Sequence, residues 1–454
     1  TEAVTSPTLA AQLQALLAAY PEAKWHQYQP VSGDNARAGA QLAFGEPVAV
    51  QCRLAEADVI LSLEADFLGS GPANVRLIRE FAERRRIEGE HAHLNRLYVV
   101  EGSPSITGAA ADHRLPLRSS EIEGVARAVA SGLGLAVEGA SKQQAAWVGP
   151  LIEDLQKHAG RCLVLAGESQ PAAVHALAHA INAQLGNLGK TVVFTAPVEA
   201  RPTDQLASLR DLVADMAASK VSLLLILGGN PVYNAPADVP LLSALDQVPV
   251  RVHLGLYQDE TAARCHWHLP AAHSLESWGD ARAFDGTASI VQPLIAPLYG
   301  GKSAPEVLAT FLGRGARTGY EVVREHWKGL WGATDFEERW QRAVHDGVIA
   351  GSALPEKPVS LKLGEWAKAP PPAPAGGLEI AFRADPTVGD GRFANNGWLQ
   401  ELPKPLTKLT WENAALLSPQ LAARLGVSVG STPNGATTDL LDIRYAGQTL
   451  TAPA

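Results

Sequence analysis

The sequence predicts an α/β protein, with doubly wound parallel-sheet domains followed by a β-rich portion. Three observations predict it. Short apolar runs recur at 59–63, 161–167 and 221–227. The last of these, Val221-Ser222-Leu223-Leu224-Leu225-Ile226-Leu227, carries no charge and reads as a parallel strand buried on both faces. Segments of helical period separate the runs, and strand, helix, strand, helix, strand at this spacing is a doubly wound unit. Beyond a proline-rich stretch, Leu378-Glu379-Ile380-Ala381-Phe382 opens a β-rich portion. The expected divisions are a first α/β domain at 1–150 and a second at 151–315. A helical return with a linker follows at 316–377, then the β-rich portion at 378–454.

The 454 residues allow two or three domains with substantial cores. A net charge of −9 argues against a nucleic-acid partner. No segment approaches the roughly 20 uninterrupted apolar residues that cross a bilayer. Met216 is the only methionine and Thr1 the first residue, so the expectation is a translational start, and any export signal, upstream. Cys52, Cys162 and Cys265 are odd in number and far apart, which gives neither a disulfide framework nor a cluster-binding spacing.

In chain order, 8–19 reads as an apolar helix, 23–28 as a strand, 32–35 as a polar turn and 39–45 as a helix. Ala57-Asp58 introduces the strand at 59–63, and the loop after it is Glu64-Ala65-Asp66-Phe67-Leu68. Residues 74–86 form a basic amphipathic helix with Val75, Ile78 and Phe81 as its apolar stripe. Its arginines, Arg79, Arg84, Arg85 and Arg86, are read as a solvated face rather than an anion site. A strand at 95–100 runs into a Gly/Pro/Ser loop. The adjacent Asp112 and His113 are read as loop residues, because neighbours in sequence seldom face one another. Residues 119–135 form a helix, 136–160 a bridge, 172–185 a helix and 191–194 a strand. Cys52 and Cys162 are read as core residues.

The central stretch runs from 221 to 298. Its first strand ends at Gly228-Gly229-Asn230-Pro231, where glycine permits positive φ and Pro231 bars further pairing. A strand that ends in such a turn presents backbone N–H groups at a carboxyl edge, where doubly wound folds bind nucleotides. A second strand at 248–254 is followed by Asp259-Glu260-Thr261-Ala262, Cys265-His266-Trp267-His268-Leu269-Pro270 and Glu276-Ser277-Trp278-Gly279-Asp280. Residues 304–350 are helical and tryptophan-rich, and 368–377 is a semi-rigid linker. Ser418-Pro419 starts a short helix, and 442–451 forms a hairpin around Ala446-Gly447.

The order Gly-Asn-Pro, Asp-Glu-Thr-Ala, Leu-Pro and Glu-x-x-Gly-Asp resembles the third domain of molybdopterin oxidoreductases, whose loops hold a pterin guanine dinucleotide. Cys265-His266 stands where the catalytic family usually carries Ala-Asp. The run 265–270, with 95–116 and with 395–405 and 411–413, is similar to the molybdopterin-like half of the iron–sulfur subunit of alternative complex III. That is a bacterial quinol-oxidising membrane complex. The resemblance implies a chain without cofactor of its own and a vestigial pterin loop at Gly228, Gly229, Asn230, Pro231, Asp259 and Glu260. It also implies iron–sulfur clusters in another half of the same subunit, haem c in multihaem cytochrome subunits, and membrane-integral quinol-binding subunits as partners. The location implied is the periplasmic side of the cytoplasmic membrane. The resemblance further implies that 378–454 is an incomplete β-barrel domain, the start of a barrel expected to continue past Ala454; residues 428–439 depart from the family's compact turn.

Glu64 and Asp66 bear on the cofactor directly. Two carboxylates stand where an anionic dinucleotide needs amides and small residues, so this loop is expected to be closed to a phosphate. No catalytic residue is assigned. Cys265, His266, His268 and His273 are the metal candidates, because alternate residues of an extended segment share a face. Structural roles for them are preferred. Trp267, Trp278, Trp398 and Trp411 are the interface candidates. Two other readings remain, a molybdenum oxidoreductase with bound pterin dinucleotide and the cofactor-free molybdopterin-like subunit of a respiratory NADH dehydrogenase. The acidic loop speaks against the first, and the runs at 265–270 and 395–413 against the second.

Overall fold

The computed structural model describes residues 1–87, 94–141, 143–371, 376–432 and 435–454. Residues 372–375 of the linker, and 433–434 of the stretch at 428–439, lie outside the described residues. Two compact units emerge, one of residues 1–235 with 240–383, the other of 236–239 with 384–454. The mixed α/β architecture with parallel sheets is the one the sequence predicts. Among the described residues no closed barrel occurs.

In the larger unit, four strands form an all-parallel sheet in the spatial order His113–Pro116, Arg96–Glu101, Val59–Leu63, Cys162–Ala166. Every residue of Val59–Leu63 is buried, as a central parallel strand requires. Side chains alternate between faces. Val59, Leu61 and Leu63 pack with Val125, Val129, Leu151 and Leu177 of helices Ile122–Gly132, Ala145–Lys157 and Ala172–Gln184. Ile60, with Leu97, Val99 and Leu163, packs instead with Phe44, Leu77, Phe81 and Phe194. The earliest strand is internal, the next two extend the sheet to one side, and the fourth joins on the other. That reversal is a topological switch point, and it lies between Leu63 and Ala166 at the carboxyl edge.

A second parallel sheet holds Leu223–Leu227, Val250–Gly255 and Trp267–Pro270. Helices Pro7–Ala19 and Ala304–Phe311 cover it, with Leu13, Val307 and Leu308 against Leu227 and Leu254. Ser6 caps the first of these helices and Pro7 occupies its first turn. Helices Gly319–Trp331 and Phe336–Asp346 bury Trp327 and Trp340 in a further cluster.

Several expectations are corrected. Strand Leu223–Leu227 is an edge, not a strand buried on both faces, and Leu223 is 46% exposed. Strand Val192–Thr195 leaves the parallel sheet and pairs antiparallel with Ala49–Cys52. A division at 150 would cut the first sheet, because Cys162–Ala166 pairs with Val59–Leu63. Residues 23–28 form no strand; Tyr28 and His26 instead exchange single hydrogen bonds with Thr1. The turn at 32–35 already contains the start of helix Asp34–Phe44, and the bridge at 136–160 contains helix Ala145–Lys157. On helix Asn74–Glu83 the buried residues are Leu77 and Phe81, whereas Val75 is 77% exposed. A stripe at i, i+4 holds its face, and one stepped by three drifts off it. Residues 378–382 form no strand.

The smaller unit is built from short helices and antiparallel strand pairs. Ser418 caps helix Pro419–Leu425, and strands Leu440–Tyr445 and Gln448–Pro453 pair antiparallel through Ala446 and Gly447. Both turn residues have positive φ, as the twist of a two-residue hairpin demands. Strands Val429–Thr432 and Gly435–Thr438 form a second pair.

Candidate nucleotide edge

At the switch point the chain places Glu64. Its φ of +59° is left-handed, a conformation that costs a non-glycine residue about 1–2 kcal/mol. Gly167, on the neighbouring strand end, faces the Glu64 carbonyl so closely that a Cβ there would overlap it. The carboxylate is almost completely enclosed, with 2% of the side chain exposed. Four donors converge on it. The Gly102 N–H at 3.2 Å, the Ser119 hydroxyl at 2.7 Å and the Arg383 guanidinium at 2.7 Å reach Oε1. The Gln170 amide reaches Oε2 at 2.6 Å.

The same edge holds two further carboxylates. Asp66 accepts from the Thr107 N–H at 2.9 Å and its hydroxyl at 2.7 Å. Glu101, 1% exposed, accepts from Ser105 and from the Arg114 guanidinium at 2.6 Å. Glu64 and Glu101 are thus paired with arginines and Asp66 is hydrogen-bonded by Thr107, so each carboxylate is satisfied within the chain. A dinucleotide phosphate brought to this edge would meet three carboxylates and find these donors engaged. The residues at this edge therefore do not fit a pterin dinucleotide. The helix arginines are engaged as well. Arg79 pairs with Glu83, Arg84 with Asp58, and Arg85 with Asp112 and Asn95. Asp112 is held by Arg85 and the Leu97 N–H, while His113 stacks on Tyr98 at 4.5 Å, so the two make no acid–base pair.

At the second sheet, the structure brings the Gly-Gly-Asn-Pro turn and the Asp-Glu-Thr loop together. Gly228 and Gly229 both have positive φ. The Asn230 side chain accepts from the Thr261 N–H and hydroxyl and donates to Glu260 at 2.7 Å. That amide holds the Glu260 carboxyl below its ordinary range. Asp259 caps the Ala262 N–H at 2.8 Å. These loops are tied to one another by their own side chains.

His253 was legible only as a strand residue, and it is the buried anchor of this turn. Burial lowers its pKa, with Asp259 acting in the opposite direction. In the neutral ring Nε2–H donates to the Gly229 carbonyl at 3.2 Å, so Nδ1 is the acceptor from His268 Nδ1–H at 3.3 Å. The register that sets His253 beside His268 follows once both strands are recognised as parallel neighbours.

The metal candidates are dispersed in consequence. His266 Nδ1 accepts from the Arg251 N–H at 3.1 Å, and His273 Nδ1 from the Leu275 N–H. Burial raises the pKa of the Cys265 thiol, which disfavours the thiolate a metal needs. Cys52 is buried too, its pKa pushed up to about 12 chiefly by desolvation, and Cys162 is fully enclosed. Replacing His266 and His268 together by Gln is expected to leave the metal content of the purified chain unchanged. Loss of one zinc or copper per chain in elemental analysis would show the opposite.

Of the tryptophans, Trp278 packs inside the chain against Tyr320 at 4.9 Å and Trp340 at 6.3 Å. Trp267, Trp398 and Trp411 are 65%, 86% and 58% exposed, so these three lie at the surface.

No protein-family model matches the chain, and no curated protein does. Among solved structures the chain is similar to acetylene hydratase from Pelobacter acetylenicus, at 14% identity and a TM-score of 0.46 over 68% of this chain. The match spans 58% of that enzyme's length.

Proposed function

We propose that this chain is the cofactor-free, molybdopterin-oxidoreductase-like scaffold portion of the iron–sulfur subunit of a quinol-oxidising membrane complex, of the alternative complex III type. The observation that carries its cofactor-free character is Glu64, a carboxylate seated at the switch point with its donors already engaged. The quinol-oxidising context rests on the likeness of 95–116, 265–270 and 395–413 to the iron–sulfur subunit of that complex. In that setting the chain docks partners and transfers no electrons itself. The iron–sulfur half of the same subunit, multihaem cytochrome c subunits and membrane-integral quinol-binding subunits are the proposed partners, on the periplasmic side of the membrane. Trp267, Trp398 and Trp411 are the proposed anchors, since tryptophan buries a large area at little entropic loss.

The test is purification of the protein from its native membranes under mild detergent. The expected result is copurification of haem c and iron–sulfur centres with no stoichiometric molybdenum, and no pterin fluorescence after oxidation. One molybdenum per chain would overturn the proposal and return the chain to the molybdenum oxidoreductases.

A further inference from the structure

We infer that the buried donor cluster at the switch point is a built oxyanion site whose resident anion is the chain's own Glu64 carboxylate. The inference rests on the reading that no dinucleotide occupies this edge, and it names what occupies it instead. The donors come from four separate segments, 38, 55, 106 and 319 residues away from Glu64. They comprise a backbone N–H at a strand end, a hydroxyl, a primary amide and a guanidinium, a set that suits an oxyanion. Among the described residues Glu64 is the one buried non-glycine residue with positive φ. The backbone is turned against its preference, and the turn delivers the carboxylate inward. Arg383 closes the group, and close by Glu379 accepts from the Ser120 N–H at 3.0 Å and its hydroxyl at 2.7 Å. Glu64 is thereby an intramolecular ligand, and the chemical class the site takes is a single small oxyanion, carboxylate or phosphate.

Truncation of the ligand should leave the site empty and able to accept an external one. The experiment is thermal unfolding of the full chain, wild type and Glu64→Ala, in chloride, formate or inorganic phosphate at matched ionic strength. Glu64→Ala is expected to melt below wild type in chloride, and to recover at least half of that loss, saturably, in formate or phosphate. Wild type is expected to show no such recovery. Glu64→Gln, neutral and of the same volume, leaves no room for an anion and is expected to show none either. An equal response in Glu64→Gln would place the anion elsewhere and overturn the inference, as would a folded Glu64→Ala that ignores both anions. Where Glu64→Ala does not fold in chloride, the yield of folded protein on refolding in formate or phosphate is read instead, and no gain overturns it. The scaffold reading fails separately, on molybdenum in the wild-type protein, and the anion response of Glu64→Ala is independent of that result.

Discussion

Replacing Arg127 by Met is expected to destabilise the larger unit by about 3–5 kcal/mol, the loss that follows when one partner of a buried ion pair is removed. Arg127 is 1% exposed on helix Ile122–Gly132. Its guanidinium holds Glu123, one helical turn earlier, at 2.7 and 2.9 Å. It also donates to the carbonyls of Glu138 at 2.8 Å and Ala367 at 3.1 Å, tying the loop at 138 and the short helix Glu365–Lys368 to its own helix. Methionine fills much of the volume but leaves the Glu123 carboxylate and the Glu138 carbonyl without the guanidinium, while the Ala367 carbonyl keeps the Glu138 N–H. Urea unfolding of the purified chain measures the effect. The double change Arg127→Met with Glu123→Leu is expected to recover most of the loss, because no buried charge is then unpaired. A single variant within about 1 kcal/mol of wild type would show the pair to be solvated.

The second large effect is expected at Asp280, the last residue of the Glu-x-x-Gly-Asp run. Sequence resemblance places it in a cofactor-loop motif, yet its observed role is structural. The residue is 5% exposed and its carboxylate sits over the start of helix Pro7–Ala19. There it accepts from the Thr8 N–H at 3.2 Å, the Thr8 hydroxyl at 2.5 Å and the Ser6 hydroxyl. The Trp327 indole donates to it at 2.9 Å, which links the helix to Gly319–Trp331. An anion at a helix N-terminus is favoured by the exposed N–H groups and by the helix dipole. Hydrogen bonds to a charged group contribute about 1.5–3 kcal/mol each, so Asp280→Ala is expected to cost about 3 kcal/mol or more after relaxation. Amide exchange should accelerate in residues 7–19 ahead of the first sheet. Uniform acceleration across the unit, or none, would show that the cap does not control that helix.

The features legible in the amino-acid order are local ones. Short apolar runs located Val59–Leu63, Cys162–Ala166 and Leu223–Leu227 as strands, although only the first is interior to its sheet. Ser418-Pro419 marked a helix start, and Ala446-Gly447 a hairpin, because caps and tight turns are set by neighbouring residues. The acidic character of the loop after Leu63 was legible for the same reason. Strand pairing, by contrast, emerged with the three-dimensional arrangement, in which Val192–Thr195 left the parallel sheet for Ala49–Cys52. Composition alone does not say which neighbour a strand will meet. Packing likewise put Leu223 exposed on an edge and Trp278 inside, whereas Trp398 stays outside. The neutralisation of Glu64 is the clearest case. Its donors Gly102, Ser119, Gln170 and Arg383 carry no shared spacing or motif. A buried charge is compensated by whatever the fold brings within about 3 Å, and that is a property of the folded chain, not of any stretch of it.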